Sequence, residues 1–169
     1  LTGNTVSGIA RLCELRGTEN VTITNNVINN TYEHAMLLAG GNYAGNVTIT
    51  GNNADGIRDR FVRMAGAGDA TVVIENNTIT NYQGKDADYI KVTDGNNVTV
   101  ENNSISYSKI PAEVNLVNGE TVTLPAAEAD HTVVVNGVGT LVLNGTTITT
   151  TEGPAIQFAE DANVTITVN

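Results

Sequence analysis

The chain has 169 residues with 18 acidic against 8 basic side chains, a net charge of −10, no Trp and a single cysteine. This balance makes nucleic acid and anionic membrane poor partners, and Cys13 with only His34 and His131 excludes an intrachain disulfide and a zinc cluster of ordinary spacing. All eight cations lie at or before Lys109, so residues 1–109 set eight cations against eleven carboxylates while residues 110–169 carry seven carboxylates and no cation. An acidic surface suits an extracellular setting, calcium or neutral ligands, and no apolar run approaches membrane-spanning length.

The first complete element, Asn20 to Asn30, reads N-V-T-I-T-N-N-V-I-N-N, and versions of it recur from residues 46, 71, 97, 140 and 163. Registered on the first apolar residue, the series is Val21, Val47, Val72, Val98, Val122, Leu141 and Val164, with steps of 26, 25, 26, 24, 19 and 23. A period of this size specifies a solenoid. Apolar residues alternate at period two, so the unit is built of strands. The fold class expected is all-β: a parallel solenoid of about seven turns, a rod roughly 34 Å long at the usual strand spacing.

Each turn divides into three strands. In the first, N-V-T-I, the Val and Ile point inward and the Thr outward, which buries Val21, Ile23, Val47, Ile49, Val72, Ile74, Val98 and Val100 in aligned layers. A corner follows with Asn26, Asn52, Asn77 and Asn103 at one registered position, Asn4 before them and Asn169 after. Asn tolerates left-handed backbone and its amide can bond the identical amide one turn away, so these residues form a ladder. The second strand is short, around Val6, Ile28, Ile79, Ile105 and Ile148. A charged loop leads to the third, at Cys13 to Leu15, Met36 to Leu38, Val62 to Met64, Ile90 to Val92, Val114 to Leu116, Val133 to Val135 and Ile156 to Phe158. Residues 1–169 read as one domain that is irregular near 108–130, where two Pro-Ala corners replace the asparagine; a domain junction near 110–120 is the alternative. Leu1-Thr2-Gly3-Asn4 matches Ile23-Thr24-Asn25-Asn26, so the chain is expected to be a piece of a longer solenoid.

An apolar strand, a Gly and then N-V-T-I-x-N-N-x-I resembles the right-handed parallel β-helix of the pectin-lyase-like group, and T-L-V-L-N-G-T-T-I followed by G-P-A-I-Q-F-A-E-D-A-N-V-T-I is similar to secreted bacterial β-helix proteins that bind carbohydrate. The resemblance covers nearly the whole chain, most strongly residues 1–107. It implies a bacterial, secreted or cell-surface protein, and a ligand groove along the outer face of the third strand. The same scaffold carries lyases, hydrolases, binding modules and adhesins, so the site must argue the function.

On that outer face one column reads Glu14, Leu37, Arg63, Lys91, Asn115, Val134, Gln157, and its neighbour Leu12, Ala35, Phe61, Tyr89, Glu113, Thr132, Ala155. Phe61 and Tyr89 form an aromatic step beside the basic step of Arg63 and Lys91, and like charges on adjacent strands call for an explanation. A bound acidic glycan, its ring on the aromatics and its carboxylate on the cations, is one; neutralisation by Asp59, Asp86 or Asp88 as surface pairs is the other. Glycoside hydrolysis needs two carboxyls about 5 to 10 Å apart, and Glu14 and Glu113 stand roughly 19 Å apart at the usual strand spacing. Asp69 and Asp94, in equivalent loops of adjacent turns, are the nearest pair. A lyase could use Lys91 or Arg63 as base and charge neutraliser. The loops Tyr32-Glu33-His34, Arg58-Asp59-Arg60 and Lys85-Asp86-Ala87-Asp88 hold further polar groups. The N-V-T acceptors at Asn20, Asn46, Asn97 and Asn163 follow from the repeat, and Val73 and Glu75 interrupt the threonine rows that an ice-binding face would need. The reading is a non-catalytic extracellular module, structural, adhesive or carbohydrate-binding, with acidic or neutral polysaccharide as partner, no cofactor beyond a possible role for calcium, and no nucleic acid or membrane insertion. A polyuronate lyase, then a hydrolase, is the alternative.

Overall fold

Alternation at period two, with Val and Ile enriched on one face, leaves each segment half-apolar and able to bury that face only against its copies in adjacent turns. The computed structural model, which describes residues 1–41, 43–84 and 88–169, accordingly forms a parallel β-solenoid with no helix among the described residues. Its described strands are β1 (Thr5–Ile9), β2 (Cys13–Arg16), β3 (Val21–Thr24), β4 (Val27–Thr31), β5 (Met36–Ala39), β6 (Asn46–Thr50), β7 (Asn53–Ile57), β8 (Val62–Met64), β9 (Gly68–Glu75), β10 (Thr78–Tyr82), β11 (Ile90–Val92), β12 (Gly95–Glu101), β13 (Ser104–Tyr107), β14 (Glu113–Leu124), β15 (Glu128–Ala129), β16 (Val133–Leu143), β17 (Thr147–Ile148), β18 (Ile156–Phe158) and β19 (Asn163–Val168).

As far as Tyr107 the chain keeps three faces. First strands β3, β6, β9 and β12 form one sheet, third strands β2, β5, β8 and β11 another, and second strands β1, β4, β7, β10 and β13 a third. Val21, Val47, Val72 and Val98 lie in register, as do Thr22, Thr48, Val73 and Thr99, so the outer row of threonines is broken where the sequence places Val73. Ile23, Ile49 and Ile74 from the first face, Ile28 and Ile79 from the second, and Met36, Leu38, Val62 and Met64 from the third are all fully or almost fully buried. Each contributes about 1.5–3 kcal/mol relative to exposure.

The corner between first and second strands explains the recurring N-N pair. Its first residue takes left-handed backbone, at Asn25 (φ 56), Asn76 (φ 55) and Asn102 (φ 54), with Gly51 (φ 66) in the turn that reads G-N. The second residue turns its amide into the core. Asn26, Asn52, Asn77 and Asn103 are each about 1% exposed. The amide Nδ2 of Asn26 donates to Asn52 Oδ1 at 2.9 Å, Asn52 to Asn77 at 2.9 Å and Asn77 to Asn103 at 3.0 Å. Backbone N–H groups of Asn26, Asn52 and Asn77 donate to the same oxygens at 3.0 Å, and Asn4 joins at the top, donating to Asn26 at 2.9 Å. Every rung is therefore satisfied at a corner that has no sheet of its own.

Below Tyr107 the faces slip by one. The Thr121–Thr123 part of β14 pairs with Ser104–Ser106 of β13, so Val122 stacks under Ile105 of the second face and not under Val98. β14 and β16 are long strands that each run through a third and a first segment, broken in register between Leu116 and Glu120. β18 and β19 then pair with the two halves of β16. Three expectations change. Val98 is 37% exposed and Val100 only half-buried, because among the described strands β12 is the last of its sheet and no strand pairs with its lower edge. The solenoid has about six turns, not seven, since the slip gives up part of a coil. Asn169 is not a rung; its N–H donates to Leu143 C=O at 3.0 Å.

Candidate functional site

The third-strand sheet holds the expected column. Glu14, Leu37, Arg63 and Lys91 are registered across β2, β5, β8 and β11, which sets the two cations side by side at about 4.8 Å between strands. The two ends of the column differ in charge. Glu14 accepts from Arg11 and Arg16 at 2.6 Å each, and Arg11 also pairs with Glu33, so the upper end is neutralised. At the lower end Arg63 is half-buried and Lys91 exposed, and among the described residues neither forms an ion pair. Asp88 instead accepts from the Asn115 amide at 3.1 Å, and the expectation for Lys85 and Asp86 falls outside the described residues. His34 lies within the field of this cluster. Burial, the largest effect, lowers its pKa; Asp59 opposes, and Arg60, Arg63 and Arg11 add to the lowering, so the ring is kept neutral near pH 7.

Phe61 and Tyr89 are not on that surface. Phe61 is fully buried and Tyr89 is 3% exposed. Strand parity does not extend to them because each stands one residue before its strand, in the corner where the chain turns. The N–H groups of Phe61 and Val62 both donate to Tyr89 C=O, at 2.8 and 3.2 Å, a kink that lets two consecutive residues face the core. The corner swallows Ala35 in the same way. Tyr89 packs edge-on to Tyr82 with ring centroids 6.5 Å apart, and Tyr82 to Tyr107 at 5.5 Å. The basic step survives as a surface feature; the aromatic step is core.

Tyr89 leads to a feature that the sequence reading missed. Its hydroxyl donates to Oε1 of Glu120, whose Oε2 accepts the Val117 N–H at 3.0 Å. Glu120 is 1% exposed, and burial raises its pKa to about 8 against the small opposing effect of the Val117 bond. Tyr107 is pushed upward too, chiefly by burial and then by Asp88 and Glu113. The signal for Glu120 was present: in G-E-T-V-T-L it shares parity with the inward Val122 and Leu124. Beside it, where β11 and β12 end their sheets, a cleft of about 190 Å³ opens between Tyr89, Ile90, Val98 and Val117.

Asp69 and Asp94 do line one groove, of about 430 Å³, with Tyr43 and several glycines. Asp69 Oδ1 accepts from Asn96 at 3.2 Å. Among the described residues no three His, Cys, Asp or Glu side chains converge as metal ligands would.

Parallel strands wound into a coil with an internal asparagine ladder define the class as a β-helix. The family model for the right handed beta helix region matches residues 62–169, more than half of the chain, and the chain belongs to that family. No curated protein and no solved structure matches it.

Proposed function

We propose that the chain is a non-catalytic, extracellular β-helix module that binds acidic polysaccharide on the outer face of the third-strand sheet. The observation that supports this is the registered pair of Arg63 and Lys91, held side by side without an ion partner among the described residues in a chain of net charge −10. Two adjacent cations repel, and a ligand carboxylate relieves that repulsion while gaining charge-assisted hydrogen bonds. With Phe61 and Tyr89 buried, recognition here is by charge and not by ring stacking. Titration with a soluble polyuronate, with and without calcium, tests the reading. Arg63→Ala with Lys91→Ala should weaken binding about tenfold or more, as loss of charged hydrogen bonds of about 1.5–3 kcal/mol implies, with little change in melting temperature. Equal binding by the double variant would sink the proposal. The second reading, a polyuronate lyase, draws on a neutral His34 within the field of Arg63: an imidazole base beside a cation that neutralises the uronate is what proton abstraction next to a carboxylate needs. Appearance of unsaturated product in the same mixtures would favour it.

A further inference from the structure

A different column runs down the outer edge of the second-strand sheet. Tyr32, Arg58, Gln83 and Ser108 each directly follow the last residue of β4, β7, β10 and β13. Backbone bonds fix the stack: the Tyr32 N–H donates to Ile9 C=O at 3.0 Å, Gln83 to Ile57 at 2.9 Å and Ser108 to Tyr82 at 2.9 Å. The preceding residues Thr31, Ile57, Tyr82 and Tyr107 are buried, so the four that follow point out, and all four are exposed. Two aromatics are exposed, Tyr32 (60%) on this column and Phe158 (41%) in β18, while Tyr43, Phe61, Tyr82, Tyr89 and Tyr107 are all buried.

A continuous groove lies along this column. One part, of about 610 Å³, is bounded by Gly8, Tyr32 and Arg58, and the next, of about 380 Å³, by Asp55, Ser108 and Lys109; the two share Asn30, Gly56 and Gln83. Its floor is a row of left-handed residues, Gly8 (φ 63), Asn30 (φ 55), Gly56 (φ 66) and Asn81 (φ 52). A Cβ on Gly8 would stand 3.9 Å from the Tyr32 hydroxyl, so the phenol reaches over that glycine. Asp55 is held in place midway, its Oδ1 accepting from Thr80 at 2.6 Å and Asn81 at 2.7 Å. From Gly8 to Lys109 the groove crosses four turn spacings, roughly 19 Å.

We infer that this groove binds a neutral oligosaccharide, with one sugar ring stacked on Tyr32 and the hydroxyls of the following units bonded by Arg58, Asp55 and Gln83. A sugar presents an apolar C–H face and a rim of groups that both donate and accept. The groove offers the matching parts: an exposed aromatic, a guanidinium fork, amides that do both, and a carboxylate acceptor. Asp55 disfavours a uronate carboxylate at the middle unit, although the cations Arg58 and Lys109 also line the groove, so a neutral sugar is the ligand that every part of it accepts. The inference rests on the reading of the chain as a carbohydrate-binding module and places a second ligand on a second face.

The test is calorimetric titration of the protein with short neutral gluco-, xylo- and manno-oligosaccharides and with a polyuronate, using Tyr32→Ala, Tyr32→Phe and the Arg63→Ala, Lys91→Ala double variant. Loss of a stacked ring should weaken neutral-sugar binding about tenfold or more in Tyr32→Ala, with near-parent binding in Tyr32→Phe and in the double variant. Unchanged melting temperatures are expected, since Tyr32 is a surface residue. Neutral-sugar binding that is equally strong in Tyr32→Ala overturns the inference. Binding of polyuronate alone, lost in the double variant, overturns it while leaving the third-strand proposal standing; binding of no glycan overturns both.

Discussion

The upper stack, Thr5 to Tyr107, and the lower stack, Glu113 to Val168, solve the same problem of winding a strand in different ways. Above, each turn is cut into short strands by a corner whose first residue is left-handed and whose second is a buried asparagine bonded to its copies. That corner admits one geometry, and the turns keep an even length of 25 or 26 residues from Val21 to Val98. Below, Pro125-Ala126 replaces the asparagine and long strands β14 and β16 bend through what would be a corner. Without a ladder the turn length varies, from 19 residues between Val122 and Leu141 to 25 between Leu141 and Ile166, the faces slip, and an open cleft is left at the seam. A ladder thus fixes the phase of a solenoid as well as stabilising its corner.

The comparison can be broken most directly at the corners. Asn52→Leu removes the acceptor of the Asn26 N–H and amide and the donor to Ile23 C=O. At about 1–3 kcal/mol for each orphaned buried group, the loss should reach about 3 kcal/mol or more in denaturant unfolding. Asn144→Leu, at the exposed corner of the lower stack, should change stability by no more than about 0.5 kcal/mol. Similar losses for both would mean that the ladder contributes nothing special.

The bends give a smaller contrast. At Gly137 (φ 85) a Cβ would sit 2.0 Å from Leu116 C=O, so Gly137→Ala must both strain its own backbone and push two strands of the lower stack apart. At Gly3 (φ 67) a Cβ meets nothing within 4 Å, and Gly3→Ala should cost only the left-handed penalty of about 1–2 kcal/mol. Melting of the two variants side by side checks that Gly137→Ala is the more damaging.

At the seam the effect is a slope with pH. Between the ordinary carboxylate range and about 8, folded Glu120 keeps a proton that the unfolded chain has released. Stability therefore falls as pH rises through that window and levels off above it, by at most about 1.4 kcal/mol per pH unit. Glu120→Gln should flatten this fall, and the variant should gain on the parent at pH 8 and above. Parallel pH profiles of parent and variant would show that the seam does not hold a proton.

Period, parity and the N-N corner are local properties, and the sequence carried them in full: the parallel solenoid, the strands up to Tyr107, the four ladder rungs and the registered step of Arg63 and Lys91 are legible from residue spacing alone. Tertiary structure decided what spacing cannot see. Strand parity extended one residue beyond the strand turns Phe61 and Tyr89 outward, whereas they stand in a corner where two successive side chains can both face inward. Val98 and Val100 carry the same local pattern as buried Val72 and Ile74, and their exposure depends on whether a strand lies beneath them. Glu120 is held inside by Tyr89, 31 residues away, across a slip that no repeat alignment contains. The groove beside Tyr32 exists because residues 25 or 26 positions apart stack there, so its parts were visible singly while their adjacency was settled by the winding of the chain.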